Sequence, residues 1–489
     1  MSETGYLAPL MFFSLFILLL TGYPVAFVLS AVALIFGLIG VWLEVIPLGL
    51  VNAVPDRLFG IMRNDTLLAI PFFTLMGLIL ERSGIAEQLL SSMGRALGRV
   101  RGGLALSVVL VGSLLAATTG VVAASVMAMG LIALPIMLRQ GYSPALSSGV
   151  IMASGTLAQI LPPSLVLIVL ADTLGAPVGD MFIGAMLPSL LLISLFLGFI
   201  LLSAWFKPSL FPVVPQQPEP IAWGNIISSM APALLLITLV LGSIFIGVAS
   251  PTEAGAIGAV CALILALIKR RLNRGNLSDA LQQTARLTCF VMFILIGSSL
   301  FGLVFRALGG DLWVVDLFNQ LPGGVIGFLL VVNLIIFILG CFLDFFEIVF
   351  IVVPLLVPLL HQFGLSPVWF GVILAMNLQT SFLTPPFGFS LFYLKSVAPA
   401  SLPLNALYRG VIPFIIIQLL MVAILIQFPQ LVLVKQTAND VSPQDTHTQL
   451  QHHDGRNDET GTADAIRLML QIAEEQRSNT TPSLPQGSF

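Results

Sequence analysis

The chain has 489 residues, of which 57% are hydrophobic and only 9% charged, and its mean hydropathy is +1.04. A composition this apolar excludes a soluble domain and indicates an all-α polytopic membrane protein. The short alternating segments of a membrane β-barrel are absent, and a formal net charge of −3 offers nothing to a nucleic acid.

Residues 7–41 hold two apolar segments hinged at Gly22 and Pro24. No small-residue cleavage site separates them, so the first reads as a retained helix and not as a secretory signal. After a weaker stretch at 51–65, residues 65–80 give a span that Pro71 is expected to break. Residues 81–103 are amphipathic, with Leu89, Leu90, Met93 and Leu97 on one face and Arg95, Arg99 and Arg101 toward the other. That suits a helix lying at the cytoplasmic interface. Residues 105–135 are long, but their centre is small and weakly apolar. Two half-length helices meeting at a Thr118-Thr119-Gly120 tip fit it better than the competing single close-packed helix. A broken helix at 145–172 and a span at 182–206 complete a first half, 1–206, and a proline- and glutamine-rich linker covers 207–227.

The second half, 228–434, opens with apolar runs at 228–248 and 250–271. Ser250, Pro251 and Glu253 have the spacing of a capping box, which outweighs reading Glu253 as an intramembrane acid. Lys269, Arg270, Arg271, Arg274 and Arg286 read as one short basic, and therefore cytoplasmic, loop. A span at about 287–308, a hairpin near 325–360, a second broken helix at 367–395 and a last span at 409–429 follow. Cys261, Cys289 and Cys341 lie in apolar runs at no metal or disulfide spacing and read as small core residues. Residues 435–489 carry 8 of the 23 acidic residues and 3 of the 4 histidines, and read as a polar, disordered tail.

The two broken helices are the centre of the chain. Pro162-Pro163 and Pro385-Pro386 interrupt apolar runs where neither residue can donate a backbone hydrogen bond. Pro135, Pro144, Pro162 and Pro163 recur as Pro358, Pro367, Pro385 and Pro386, each displaced by 223 positions, and Gly141 recurs as Gly364. That register marks a duplicated unit, and paired broken helices are where transporters bind their substrates and coupling ions.

Unwound carbonyls with Ser and Thr hydroxyls offer an oxygen cage to a hard cation such as sodium, while half-helix amino termini favour an anion. The candidate cation ligands are Thr118, Thr119, Gly120, Ala158, Leu161 and Pro163 in the first unit. In the second they are Asp344, Ser381, Thr384 and Pro386. The hydroxyls have an alternative, which is to bond back to their own helix. Asp344 and Glu347, one turn apart, are either functional intramembrane acids or caps. The candidate substrate contacts are Gly155, Gln159, Asn377, Gln379 and Lys395. Asp172 and Lys395 fall at equivalent positions, and Lys395 either meets a carboxylate or snorkels to the interface. No catalytic triad, metal motif or nucleotide-binding loop is present, so any pump must run on an external gradient.

Several motifs stand in a family's order: DTLLAIPFFTLMG, SGIAEQLL, RVRGGLALS, GYSPALSSGVIMASGTLAQILPPS, GVASPTEAGAIGA, the Leu343-Asp344 pair and NLQTSFLTPPFGFSLF. From about residue 5 to 430 the chain resembles the large membrane subunit of tripartite ATP-independent periplasmic transporters. The resemblance implies an ion-transporter-superfamily-like elevator fold with two inverted repeats, each with a re-entrant helical hairpin and a broken helix. It also implies a sodium-driven importer of a small organic acid in the bacterial inner membrane, assembled with a small four-helix membrane subunit and a periplasmic substrate-binding protein. No four-helix segment precedes Met1, so the small subunit is expected as a separate chain. The chain departs from the family at ATTGVVAAS, where members often carry a serine-rich tip, and at Ala158-Gln159, where they often carry a second glycine. A carboxylate transporter working without a binding protein is the alternative, ahead of a channel or an intramembrane enzyme.

Overall fold

A computed structural model describes residues 5–98, 100–212, 223–270 and 273–432. The expectations for the tail, most of the linker, Arg99 and Arg271 lie outside the described residues.

Twenty α-helices and no strand occur among the described residues. The first ten are α1 (Leu7–Leu19), α2 (Val25–Trp42), α3 (Ala53–Met62), α4 (Ala69–Arg82), α5 (Ile85–Ala96), α6 (Gly103–Thr119), α7 (Val122–Arg139), α8 (Pro144–Thr156), α9 (Leu165–Leu174) and α10 (Val178–Phe206). The second ten are α11 (Trp223–Phe245), α12 (Pro251–Ile268), α13 (Arg274–Ala307), α14 (Gly310–Asn319), α15 (Gly324–Leu339), α16 (Phe345–Ile351), α17 (Val353–Gln362), α18 (Pro367–Leu383), α19 (Phe389–Val397) and α20 (Leu404–Gln427).

Shifted by 223 positions, the first set falls on the second. Helix α1 lands on α11 and α2 on α12, while α3 and α4 together land on α13. Helix α5 lands on α14, α6 on α15, α7 on α16 plus α17, α8 on α18, α9 on α19 and α10 on α20. Packing follows the same exchange. Helix α4 packs on α12, and α13 packs on α2; α7 packs on α19, and α16 and α17 pack on α9; α8 packs on α20, and α18 on α10. Each of these contacts between the halves therefore has a counterpart with the partners exchanged.

Among the described residues six helices are long and apolar enough to cross a membrane, and up to nine if each bent pair is one span. Large apolar side chains such as Leu38, Leu330 and Ile416 are exposed on their outer faces, as a hydrocarbon solvent requires. Proline sits where helices start: Pro144, Pro251 and Pro367 occupy first-turn positions, where no intrahelical donor is needed. Pro71 is another such residue. It lies in the first turn of α4, which begins at Ala69, so the expected break at Pro71 is not there. The expected cap at α12 is present, with Ser250 and Glu253 closing a capping box.

The basic loop is shorter than the sequence suggests. Arg274 opens α13 and Arg286 lies well inside it, because charged residues end an apolar window without ending a helix. Of the three cysteines only Cys341 is buried, and Cys289 is exposed, so Cys289 is not a core residue.

Candidate functional site

Helix α8 ends at Thr156, one 3-10 turn carries Leu157–Gln159, and α9 begins at Leu165. Between them no backbone donor among the described residues reaches the carbonyls of Ala158, Leu161 or Pro163. The Ser164 hydroxyl donates to the Gln159 carbonyl at 2.8 Å. In the second half α18 ends at Leu383 and α19 begins at Phe389. There the Ser390 hydroxyl donates to the carbonyl of Phe382, the residue 223 positions after Gln159, at 2.7 Å. Among the described residues the Pro386 carbonyl accepts only the Tyr408 hydroxyl, at 3.5 Å. The Pro162–Pro163 and Pro385–Pro386 bonds are cis.

Each break is met by the tip of its own half's hairpin. Helices α6 and α7 meet at Gly120, whose φ of 61° is in the left-handed region that favours glycine. A Cβ there would lie 3.5 Å from the Pro163 carbonyl oxygen and 3.4 Å from the Leu165 nitrogen. In the second half a Cβ at Gly340 would lie 2.1 Å from Ser381 Oγ, and the Phe342 and Phe387 rings are 5.2 Å apart. The structure thus brings Gly120 to Pro163, and the Gly340–Phe342 turn to Ser381 and Phe387.

Three candidate hydroxyls bond back to their own helices: Thr118 to Leu115, Ser381 to Leu378 and Thr384 to Thr380, at 2.8–2.9 Å. Donating the proton in this way leaves the oxygen lone pairs free to face a cation. Thr119 instead pairs with Ser125 across the tip at 2.7 Å. Asp344 is the N-cap of α16, and its backbone N–H donates to Glu347 Oε2 at 3.1 Å, closing a capping box. Of the two readings of this pair, the structure contains the cap.

Among the candidate substrate contacts, Gln379 Nε2 donates to Thr156 Oγ1 at 3.5 Å. These residues are 223 positions apart, so equivalent points of the two halves touch, and both are fully buried. Neither end of the Gln159 amide has a partner, and neither does Gln379 Oε1. Asn377 is engaged between helices, donating to the Asn333 carbonyl at 2.7 Å and its Oδ1 at 3.0 Å. Gly155 is buried where α7 crosses α8, and a Cβ there would meet Val126 Cγ2 at 2.5 Å. Lys395 stands apart from the breaks and gives its ammonium to the Leu402 carbonyl at 2.8 Å. Its equivalent, Asp172, accepts from Asn64 Nδ2 at 2.8 Å.

Sequence reasoning missed Gly77. On α4, its missing Cβ lets the Thr118 and Thr119 carbonyls approach, and a Cβ there would lie 2.5 Å from Thr119 Cα. Thr74, one turn earlier, has a buried hydroxyl with no partner. A lone glycine within an apolar helix is the only signal for this contact. Among the described residues no group of three or more His, Cys, Asp or Glu is placed to hold a metal. Carbonyl and hydroxyl oxygens are therefore the donors on offer.

Comparison with known proteins places this geometry. The family model described as "Tripartite ATP-independent periplasmic transporter, DctM component" matches residues 12–431. The C4-dicarboxylate TRAP transporter large permease protein DctM of Pseudomonas aeruginosa is 32% identical over 382 residues, 78% of this chain and 88% of that protein. The sialic acid TRAP transporter large permease protein SiaM of Vibrio cholerae is 27% identical, over 85% of this chain and 95% of its own. The ectoine TRAP transporter large permease protein TeaC of Halomonas elongata is also 27% identical, over 85% and 96%. Among solved structures, the Alcanivorax borkumensis YdaH transporter, described as having an unusual topology, superposes with a TM-score of 0.55 at 16% identity, covering 78% of this chain and 89% of that one. Helices, breaks and relatives agree: this chain is a multi-pass inner-membrane protein and not an enzyme, and it belongs to the DctM family of large permease subunits of tripartite ATP-independent periplasmic transporters.

Proposed function

We propose that this chain is the conducting subunit of a sodium-driven importer that takes a small organic acid from a periplasmic binding protein and carries it across by an elevator movement. The observation that carries the reading is the pairing of two breaks, each met by its own hairpin tip, about the Thr156–Gln379 contact, with the Pro163 carbonyl of the first break free of backbone donors beside Gly120. Equivalent residues in contact lie beside a pseudo-two-fold axis, so an axial ligand would see both breaks. The amino-terminal ends of α9 and α19 supply partial positive charge for a carboxylate, and the carbonyls supply oxygens for sodium. Relatives are named for C4-dicarboxylates and sialic acid, which makes a carboxylate the substrate class to try first.

The repeats are inverted in this reading. Counting α1, α2, α4, the broken α8–α9 pair and α10 as crossings, with the α6–α7 hairpin re-entrant, each half crosses an odd number of times. The second half then enters from the opposite side. The test is uptake of a radiolabelled C4-dicarboxylate into proteoliposomes holding this chain, its small membrane subunit and the binding protein. Uptake that follows an inward sodium gradient and stops when sodium is replaced by potassium is expected. Uptake of equal rate in both salts would defeat the sodium coupling.

A further inference from the structure

A cavity of about 420 Å³ opens between the carboxyl-terminal end of α10, the start of α8 and the first turns of α20. Phe199, Phe206 and Phe414 give it apolar walls; Lys207 and Arg409 give it two cations, and no acidic residue lines it. Both cations are exposed. The ion pairs among the described residues involve other cations, Arg82 and Arg306. Ser143, the N-cap of α8, makes no side-chain cap bond and also lines the cavity, so the positive end of that helix adds to the charge.

The cavity lies at the end of the molecule that carries positive charge. Trp205 and Phe206, beside Lys207, are 77% and 68% exposed, the signature of an interfacial aromatic belt. Gly102 packs against Ile200, Ala204 and Phe211, and the Tyr142 ring is 6.2 Å from Phe211, which brings Arg101 and Arg139 to this end. By the positive-inside rule this end faces the cytoplasm, where the leaflet is anionic.

We propose that this cavity holds one anionic phospholipid of the cytoplasmic leaflet, its phosphate on Lys207 and Arg409 and an acyl chain along the phenylalanines. A free phosphate would leave the aromatic wall uncovered, and a zwitterionic lipid would bring its own ammonium against two cations. Occupancy would brace the contact between α8 and α20. Those backbones are so close that a Cβ at Gly149 would fall 2.1 Å from the Gly410 carbonyl oxygen, and α8 leads straight into the first break.

The test is native mass spectrometry of the full-length chain in detergent, titrated with phosphatidylglycerol or phosphatidylethanolamine. It reads lipid and not transport, so its outcome is separate from the sodium reading. Phosphatidylglycerol should bind preferentially. The Lys207→Ala/Arg409→Ala variant should lose about 25-fold in its affinity, roughly fivefold per cation, and Leu202→Trp, which fills the cavity without changing charge, should weaken it too. Lys207→Gln/Arg409→Gln, which removes both charges but keeps polar side chains there, should give the same loss. Lys269→Ala/Arg270→Ala, at the same end but outside the cavity, should change nothing, and millimolar inorganic phosphate should not displace the lipid. Wild-type affinity in the double variant, equal binding of the two lipids, an equal loss in the control, or displacement by phosphate would each overturn the proposal.

Discussion

A buried amide that makes no hydrogen bond costs a fold about 1–3 kcal/mol, and Gln159 is fully buried with both of its polar atoms unpartnered. It stands next to Ala158, whose carbonyl is also free of backbone donors. A residue kept in that condition at a helix break is explained if it meets the transported molecule. We therefore expect Gln159→Leu to leave the melting temperature unchanged or raised, because an unsatisfied amide is removed. Uptake should fall about tenfold or more, the effect of losing a hydrogen bond of 1.5–3 kcal/mol to a charged partner. Thermal unfolding and proteoliposome uptake measured side by side decide it: a stabilised variant with full uptake would make Gln159 only a tolerated flaw. The sequence offers Gln159 as a candidate because it is a polar residue three positions before a Pro-Pro pair, and its burial without a partner is what the structure adds. Gly77 was not legible there, because its importance lies in an absent side chain that lets α6 approach.

At the scale of elements, proline ends a helix by removing a donor and crowding the preceding turn, and the carbonyls of Ala158, Leu161 and Pro163, which no backbone donor among the described residues reaches, are the result. Pro163→Ala, Pro386→Ala and Thr384→Val should each raise the sodium concentration for half-maximal uptake by about tenfold, what a lost contact of roughly 1.4 kcal/mol gives. Ser209→Ala, in the turn after α10, should not. Unchanged sodium dependence in all three site variants would remove the breaks as cation sites. Prolines and runs of small residues are legible because they act locally, and the structure puts helix ends beside them at Thr156 and Thr119. The sequence misleads where the same residue has two uses. Pro71 is accommodated in α4 because it falls in the first turn, and Arg286 continues α13 because a helix tolerates charge where it leaves the hydrocarbon. The Asn333–Asn377 clamp and the Thr156–Gln379 contact depend on which helices become neighbours, and no local pattern carries that.

Across the whole molecule, the exchange of packing partners between halves follows from duplication, since a surface that fits its partner before duplication still fits it afterwards. If the halves are inverted, Ser143 and Ser366, which stand at the N-cap positions of equivalent helices α8 and α18, lie at opposite membrane faces. In a chain with Cys261, Cys289 and Cys341 replaced by alanine, a membrane-impermeant maleimide should label Ser143→Cys from the cytoplasmic side only and Ser366→Cys from the periplasmic side only. Labelling of both from one side would mean parallel repeats. The described residues form helices joined by short turns, with no separate soluble domain among them. The family is tripartite by its own description, and a substrate-carrying unit needs a stationary frame to move against. Reconstituted alone, this chain should therefore take up no measurable carboxylate in a sodium gradient. Adding the small membrane subunit should not suffice, and adding the binding protein as well should start uptake. Sodium-driven uptake by the chain alone would show that the site between the two breaks captures its substrate directly, and the partners would then be modifiers of transport and not parts of its mechanism.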